Sequence, residues 1–336
     1  PSYSKTEKDQ AFDFKVFRTR SIKISSKEYW AMPGVSCEFK KKLEEFKPDV
    51  VHCHTMGMMA GYACKYAKKH NIPIVFTIHT KFFDCYKSYV KLNCIANILW
   101  KHALTRAKKG DRICTVSHYM ADYLQQNGLK KDITVIKNGG FYHPCELKKE
   151  KNKEFIFLYV GLIIDYKNIG FTIKALEILK QRRNDFKFIV IGRGPHVKKF
   201  KKQAQAAGLS DNVVFNVEIK NKNELQKYYA EADLFLFPSL FDTDGLVVLE
   251  AANAKTPSLV LKNSGPGERI IDNQTGFLSD NNEKAFAERI NQIISDEELL
   301  TKVGENAHNI ITTWSDNAAK YIETYIEEIA KKQQKK

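Results

Sequence analysis

No apolar run in this 336-residue chain approaches the roughly 20 residues that a membrane-crossing helix needs. No signal peptide is visible, although the chain opens on Pro1 rather than Met, so its true start can lie upstream. No Cys-x-x-Cys pair occurs. The seven cysteines are odd in number and all fall between residues 37 and 145. That pattern excludes a disulfide framework and a zinc ribbon, and reads as reduced thiols of a cytosolic protein. "HCH" at 52–54 is the only hint of a metal site: His52 and His54 would share a strand face, but no further ligand cluster follows, so no metal is expected. Acidic residues are scarce in the first half. Residues 1–150 hold 27 Lys and Arg against 14 Asp and Glu, a net +13, whereas the remainder holds 27 against 25, a net +2. A basic surface of that kind attracts a nucleic acid, an acidic polymer or an anionic bilayer. The plain alternative is a lysine-rich composition with solvated faces.

What is present is an alternation of apolar strand-like runs with helical patterns, the signature of an α/β protein of two domains. In the first half, helices are expected at 38–47, 60–70, 92–107 and 118–128, and strands at 48–54, 72–80, 111–117 and 132–140. The charged stretch 145–154 has no apolar period and is the best linker candidate. The second half restarts with strands at 155–161, 186–192, 213–216, 234–238 and 258–262 and helices at 169–182, 196–207, 223–231 and 246–254. Each half is expected to be an open, mostly parallel, doubly wound sheet, which binds ligands beyond the carboxyl ends of its strands.

The segment "FDTDGLVVLE", 241–250, joins the apolar run 234–238 to the helix 246–254. The amides of Gly245, Leu246 and Val247 are unpaired at such a helix start and form a phosphate site, with glycine allowing close approach of the ligand. Asp242 and Asp244 read either as ligand contacts or as N-caps. Glu250 sits in an otherwise apolar helix, where a buried carboxylate needs partners that sugar hydroxyls would supply. Two further strand ends, Gly161 followed by Lys167 in "YVGLIIDYKN" and Gly192 in "IGRGP", add glycines and a cation. Each is weak alone, since glycine after a strand is common. Three in one sheet describe a nucleotide-diphosphate pocket.

The second half resembles the donor half of a glycosyltransferase family 4 enzyme of the GT-B fold. The resemblance rests on an acid and a glutamate eight apart (Asp242 and Glu250), on "YVGLIIDYK", "IGRGP" and "DNQTGFL", and in the first half on "PDVVHCHT…IPIVFTIHT" and "VSHYM…VIKNG" in the expected order. "HTMGMMAG" and "HTKFFDCYKSY" look most like the subgroup that glucosylates diacylglycerol. It implies two Rossmann-like doubly wound domains facing across a cleft: 1–144 on the acceptor side, 145–312 for the donor, and a carboxyl-terminal helix, 313–336, returning to the first. It further implies retaining transfer of a hexose from a UDP-sugar to a membrane lipid such as diacylglycerol, with a cell-surface polysaccharide precursor as the alternative acceptor. Glu250 would bind the ribose hydroxyls and Asp242 the donor sugar, and the amides of Gly245, Leu246 and Val247 would hold the diphosphate. Lys167 would neutralise the leaving phosphate, and His79 would stand near the donor sugar with His54 on the acceptor side. No protein nucleophile, cofactor or metal is implied. The expected partners are a nucleotide sugar, a lipid acceptor and an anionic membrane surface, not a nucleic acid, and the expected place is the cytoplasm, peripheral at the inner face of the cell membrane. Trp30 and Trp100 are candidate interfacial residues, with core packing as the alternative.

Three departures stand out. The first acid is Asp242 where the family has Glu. The family's arginine after the first donor-half strand is Leu162 here, and Arg193 on the next strand end is the candidate replacement, against the alternative of a solvent-facing loop arginine. A first strand, glycine-rich loop, helix and second strand, about 40 residues or one βαβ unit, have no counterpart in the sequence. The expectation is therefore a fragment or a degenerate, non-catalytic binder of sugar nucleotides or partner subunit.

Overall fold

In the computed structural model, residues 13–23, 29–90, 92–140, 154–216, 219 and 221–334 are described. Of the expected linker 145–154, only Glu154 is among them. The chain divides into two units, one built from 1–116, 121–136 and 319–336, the other from 117–120 and 137–318.

In the first unit a short antiparallel pair, β1 (Ser21–Lys23) and β2 (Tyr29–Ala31), precedes a four-stranded parallel sheet. Its strands are β3 (Val51–Cys53), β4 (Ile74–Ile78), β5 (Arg112–Thr115) and β6 (Ile133–Val135), side by side in chain order. The connecting helices are α1 (Cys37–Phe46), α2 (Met58–His70), α3 (Phe82–Tyr89), α4 (Asn93–Ala107) and α5 (His118–Gln126). β4 is buried along its whole length, which explains its unbroken apolar sequence. The sequence reading missed α3, because "FFDCYKSY" is a short aromatic stretch with no capping side chain at its start. Trp100 belongs to the core: it is 4% exposed, stacks on Phe83 and donates its indole N–H to the Asn127 carbonyl at 2.8 Å. That corrects its candidacy as a membrane anchor, whereas Trp30 is 57% exposed. Residues 319–334 of the last helix, α12 (Trp314–Gln334), belong to this unit. There Glu327 and Glu328 both pair with Arg112 at 2.8 Å.

The second unit is a six-stranded parallel sheet in the order β12-β11-β10-β7-β8-β9. Its strands are β7 (Phe155–Val160), β8 (Phe186–Ile191), β9 (Val213–Asn216), β10 (Leu234–Phe237), β11 (Ser258–Leu261) and β12 (Phe277–Ser279). Helices α6 (Ile169–Lys180), α7 (Val197–Ala206), α8 (Lys222–Glu231), α9 (Leu246–Asn253), α10 (Glu283–Ile294) and α11 (Glu297–Asn306) cover it. Asn221, Asn282 and Asp296 cap α8, α10 and α11 through their side-chain oxygens. A core of buried side chains runs through it, from Phe157, Phe188 and Phe235 on the strands to Leu176 and Phe286 on the helices. The strand order is that of a doubly wound nucleotide-binding sheet. It reverses between β7 and β10, so the ligand crevice is expected at the carboxyl ends of those two strands.

Candidate functional site

The loops leaving β7 and β10 meet at that reversal. After β7 the chain passes Gly161, makes a 3₁₀ turn at Asp165–Lys167 and enters α6 through Asn168, whose side-chain amide donates to the Pro238 carbonyl at 2.9 Å. The tie holds Lys167 over the end of β10. Its ammonium pairs with Asp242 Oδ1 at 2.5 Å and lies 5.8 Å from the centre of the Phe237 ring. The other carboxylate oxygen of Asp242 is buried with no hydrogen-bond partner among the described residues. Ser239 Oγ accepts the amides of Phe241 and Asp242, both at 3.3 Å, and so shapes the turn that presents this acid. Burial, and then the Asp242 charge, push the Tyr159 phenol well above its usual range. It stays protonated and donates to the Leu162 carbonyl at 3.0 Å.

Neither Asp242 nor Asp244 caps α9. The N-cap is Gly245, in the left-handed region at φ 76°, where an added Cβ would meet the Pro266 side chain at 2.8 Å. The amides of Gly245, Leu246 and Val247 make no hydrogen bond among the described residues and remain free to receive an anion. On the other side, Gly192 lets β8 pass close to β7: a Cβ there would sit 1.8 Å from the Gly161 carbonyl oxygen. Ile163 N–H then donates to the Arg193 carbonyl at 2.9 Å, which sets Arg193 beside the loop that carries Leu162. Arg193 is exposed, and Leu162 is 59% exposed.

Glu250 departs from the buried position expected for it. It is exposed, and its Oε2 accepts the Tyr229 hydroxyl at 2.8 Å. The reason is the register of α9: positions 246, 249, 250 and 253 form one helical face, and that face lines a cavity of about 630 Å³ with Lys222, Leu225 and Tyr229 of α8. The Tyr229 phenol is held well above its usual range, first by burial and then by the Glu250 charge, so it acts as the donor.

Asp244 has a role that the sequence did not show. It is 3% exposed and forms a two-toothed pair with Arg269, Nε to Oδ1 at 2.5 Å and Nη2 to Oδ2 at 2.7 Å. Asn138 closes the network: its amide donates to Asp244 and its carbonyl accepts from Arg269, at 3.1 and 2.8 Å. The network ties residue 138 and the turn after β11 to the loop that presents Asp242 and Gly245.

In the first unit, three histidines stand together at the ends of β3 and β4. His54 Nδ1 lies 2.9 Å from His79 Nε2, so a single proton joins the two rings. His52 is the packed member, bonded to Tyr325 at 2.6 Å and Thr77 at 2.7 Å. Burial, followed by the neighbouring His54 and His79, pushes its pKa down to about 3. Because that value lies below the ordinary 6.5, the unfolded chain takes up the proton first. The stability from neutral His52 is complete above 6.5 and is lost as pH falls towards 3, at about 1.4 kcal/mol per unit. Urea unfolding between pH 7 and pH 5 is therefore expected to show a falling midpoint in the parent and a flatter profile in His52→Gln. Parallel profiles would remove His52 as the cause. Among the described residues, no group of three His, Cys, Asp or Glu could hold a metal ion. The six cysteines described are free.

Two family descriptions match in succession: "Glycosyltransferase Family 4" over residues 1–139 and "Glycosyl transferases group 1" over residues 146–310. The alpha-monoglucosyldiacylglycerol synthase of Acholeplasma laidlawii is 29% identical over 296 residues, 80% of this chain and 72% of that protein. The enzyme of the same name from Streptococcus pneumoniae is 27% identical over 260 residues, 71% and 58% of the two chains. Among solved structures, Anabaena HepE crystallised with UDP superposes with a TM-score of 0.70 at 18% identity, covering 86% of this chain and 82% of its own. The fold is α/β of the GT-B class, and the family matches together with the relatives support a glycosyltransferase.

Proposed function

We propose that the protein transfers a hexose from a UDP-sugar to a membrane lipid, diacylglycerol in the first instance, with retention of anomeric configuration. The observation that carries the donor half of this reading is the meeting of Lys167, Asp242 and the free α9 amides at the reversal of the sheet. Breaking a glycosyl–phosphate bond leaves negative charge on the diphosphate and positive charge on the sugar. Lys167 and the amides of Gly245, Leu246 and Val247 are preorganised for the first. The buried, unpartnered oxygen of Asp242 is an acceptor for a hydroxyl of the sugar. Glu250, with one oxygen held by Tyr229, keeps the other for the ribose. The lipid acceptor is supported by the two relatives named for glycolipid synthesis and by the basic first half. Incubation with UDP-[¹⁴C]glucose and diacylglycerol-containing vesicles is expected to move label into the lipid phase. Label that stays in water with every hexose donor tried would refute the lipid reading.

Within this site Arg193 takes the part of the cation that Leu162 does not supply. Arg193→Ala is expected to weaken UDP binding by about tenfold, the loss of one charge-assisted contact, and adding Leu162→Arg is expected to restore it. Unchanged affinity in Arg193→Ala would leave the diphosphate to Lys167 and the α9 amides.

A further inference from the structure

The loops that leave β7 and β10 meet twice. Lys167 pairs with Asp242, and one residue earlier on each loop Tyr166 meets Phe241, with ring centres 4.7 Å apart and planes inclined at 37°. Adjacent Cα atoms are about 3.8 Å apart, so the ring pair springs from backbone positions next to those of the ion pair. Tyr166 is tied down at its backbone and unspent at its ring. His196 Nδ1 accepts the Asp165 amide at 3.1 Å and Lys199 pairs with the Asp165 carboxylate at 2.6 Å, which holds the start of the 3₁₀ turn. The bond from Asn168 to the Pro238 carbonyl holds its end. Phe241 is half-buried, and its amide is held by Ser239 Oγ. Yet Tyr166 is 42% exposed, and its hydroxyl makes no hydrogen bond among the described residues. A lone exposed tyrosine needs no explanation. An exposed ring on a turn fixed at both ends is different, because a ligand can stack on it at little cost in ordering.

The neighbouring groups say which ligand. Asp242 Oδ2 is buried without a partner among the described residues, a costly state that a ligand hydroxyl relieves. An aromatic face carries the negative part of the ring quadrupole. The axial C–H bonds of a pyranose give it a flat, weakly positive face rimmed by hydroxyls. A pyranose therefore satisfies both features, with C–H bonds on the rings and a hydroxyl on Asp242. An acyl chain would cover the rings and leave the carboxylate oxygen unpaired. A nucleobase would also stack, but a diphosphate held by Lys167 and the α9 amides puts the transferring sugar, not the base, beside Lys167.

We propose that Tyr166 and Phe241 form a shelf for the C–H face of a pyranose, in the first instance the hexose of the donor. The proposal deepens the donor reading and rests on it: the shelf makes the site hold a sugar nucleotide more tightly than UDP. A pyranose can also arrive on an acceptor that already carries one, so the test separates the two sources. Calorimetric titration of the full chain uses UDP, UDP-glucose, UDP-galactose and glucosylglycerol, with the parent, Tyr166→Leu and Tyr166→Phe. The parent is expected to bind at least one of the two UDP-hexoses more tightly than UDP. Tyr166→Leu is expected to weaken that UDP-hexose about fivefold, the scale of one aromatic stacking contact, and to leave UDP unchanged. Tyr166→Phe keeps the ring and loses only an unbonded hydroxyl, so it is expected to match the parent. Loss of glucosylglycerol binding in Tyr166→Leu, with the UDP-hexoses unchanged, places the pyranose on the acceptor instead. An equal fall for UDP and the UDP-hexoses overturns the shelf, because the rings would then only brace Lys167 and Asp242 or carry the base. Unchanged affinity for all four ligands in Tyr166→Leu overturns it too, and so does a parent that prefers neither UDP-hexose to UDP and does not bind glucosylglycerol. UDP-hexose binding whose preference over UDP survives in Tyr166→Leu would leave the donor reading standing without the shelf. Binding of glucosylglycerol that needs the Tyr166 ring, in a parent that binds neither UDP nor a UDP-hexose, would leave the shelf standing without the donor reading.

Discussion

Lys167→Ala is expected to lower turnover about 10²- to 10³-fold, the scale set by removing one preorganised charge from the place where transition-state charge develops. Two features make the effect large. The ammonium is held over β10 by the Asn168–Pro238 tie and by Asp242, so it is placed before substrate arrives. It is also only 14% exposed, so solvent screens it little. Lys167→Arg keeps the charge but not the length and is expected to recover part of the loss. Single-turnover kinetics with a UDP-sugar check this, and a variant that matches the parent would remove Lys167 from the reaction.

Asp244→Ala is expected to destabilise the second unit by about 3–5 kcal/mol, the range for removing one member of a buried, hydrogen-bonded ion pair. Arg269 is left behind at 1% side-chain exposure, with Nη1 already lacking a partner among the described residues. Replacing both residues by apolar ones of similar size, as in Asp244→Leu with Arg269→Met, is expected to recover most of that stability, since no buried charge then remains. Donor affinity is expected to stay low in the double variant, because the loop that presents Asp242 and Gly245 loses its tie to Asn138. Chemical denaturation and UDP titration read the two effects separately. Full stability in Asp244→Ala alone would show that the pair holds nothing together.

Much of the second unit's architecture was legible because the relevant signals are local. A strand that ends in glycine, an acid three residues before Gly245 and a helix that starts there are all set by neighbours in sequence. The strand order was legible only as a class, since the reversal between β7 and β10 needs the pairing itself. The Asp244–Arg269 pair spans 25 residues, and in sequence both members look like ordinary surface charges. The exposure of Glu250 depends on Tyr229, 21 residues upstream on α8, and on which face of α9 the cavity occupies. Trp100 shows the same limit from the other side: its basic, aromatic surroundings pointed to an interface, while its indole N–H is spent on Asn127 in the core.

The most direct test of the proposed donor site is a UDP titration of the ¹⁵N-labelled full chain. The account predicts that the backbone amide signals of Gly245, Leu246 and Val247 shift first and furthest as these groups receive the diphosphate, and that the shifts disappear in Lys167→Ala at the same UDP concentration. Saturable UDP binding that leaves those three amides unmoved would contradict it.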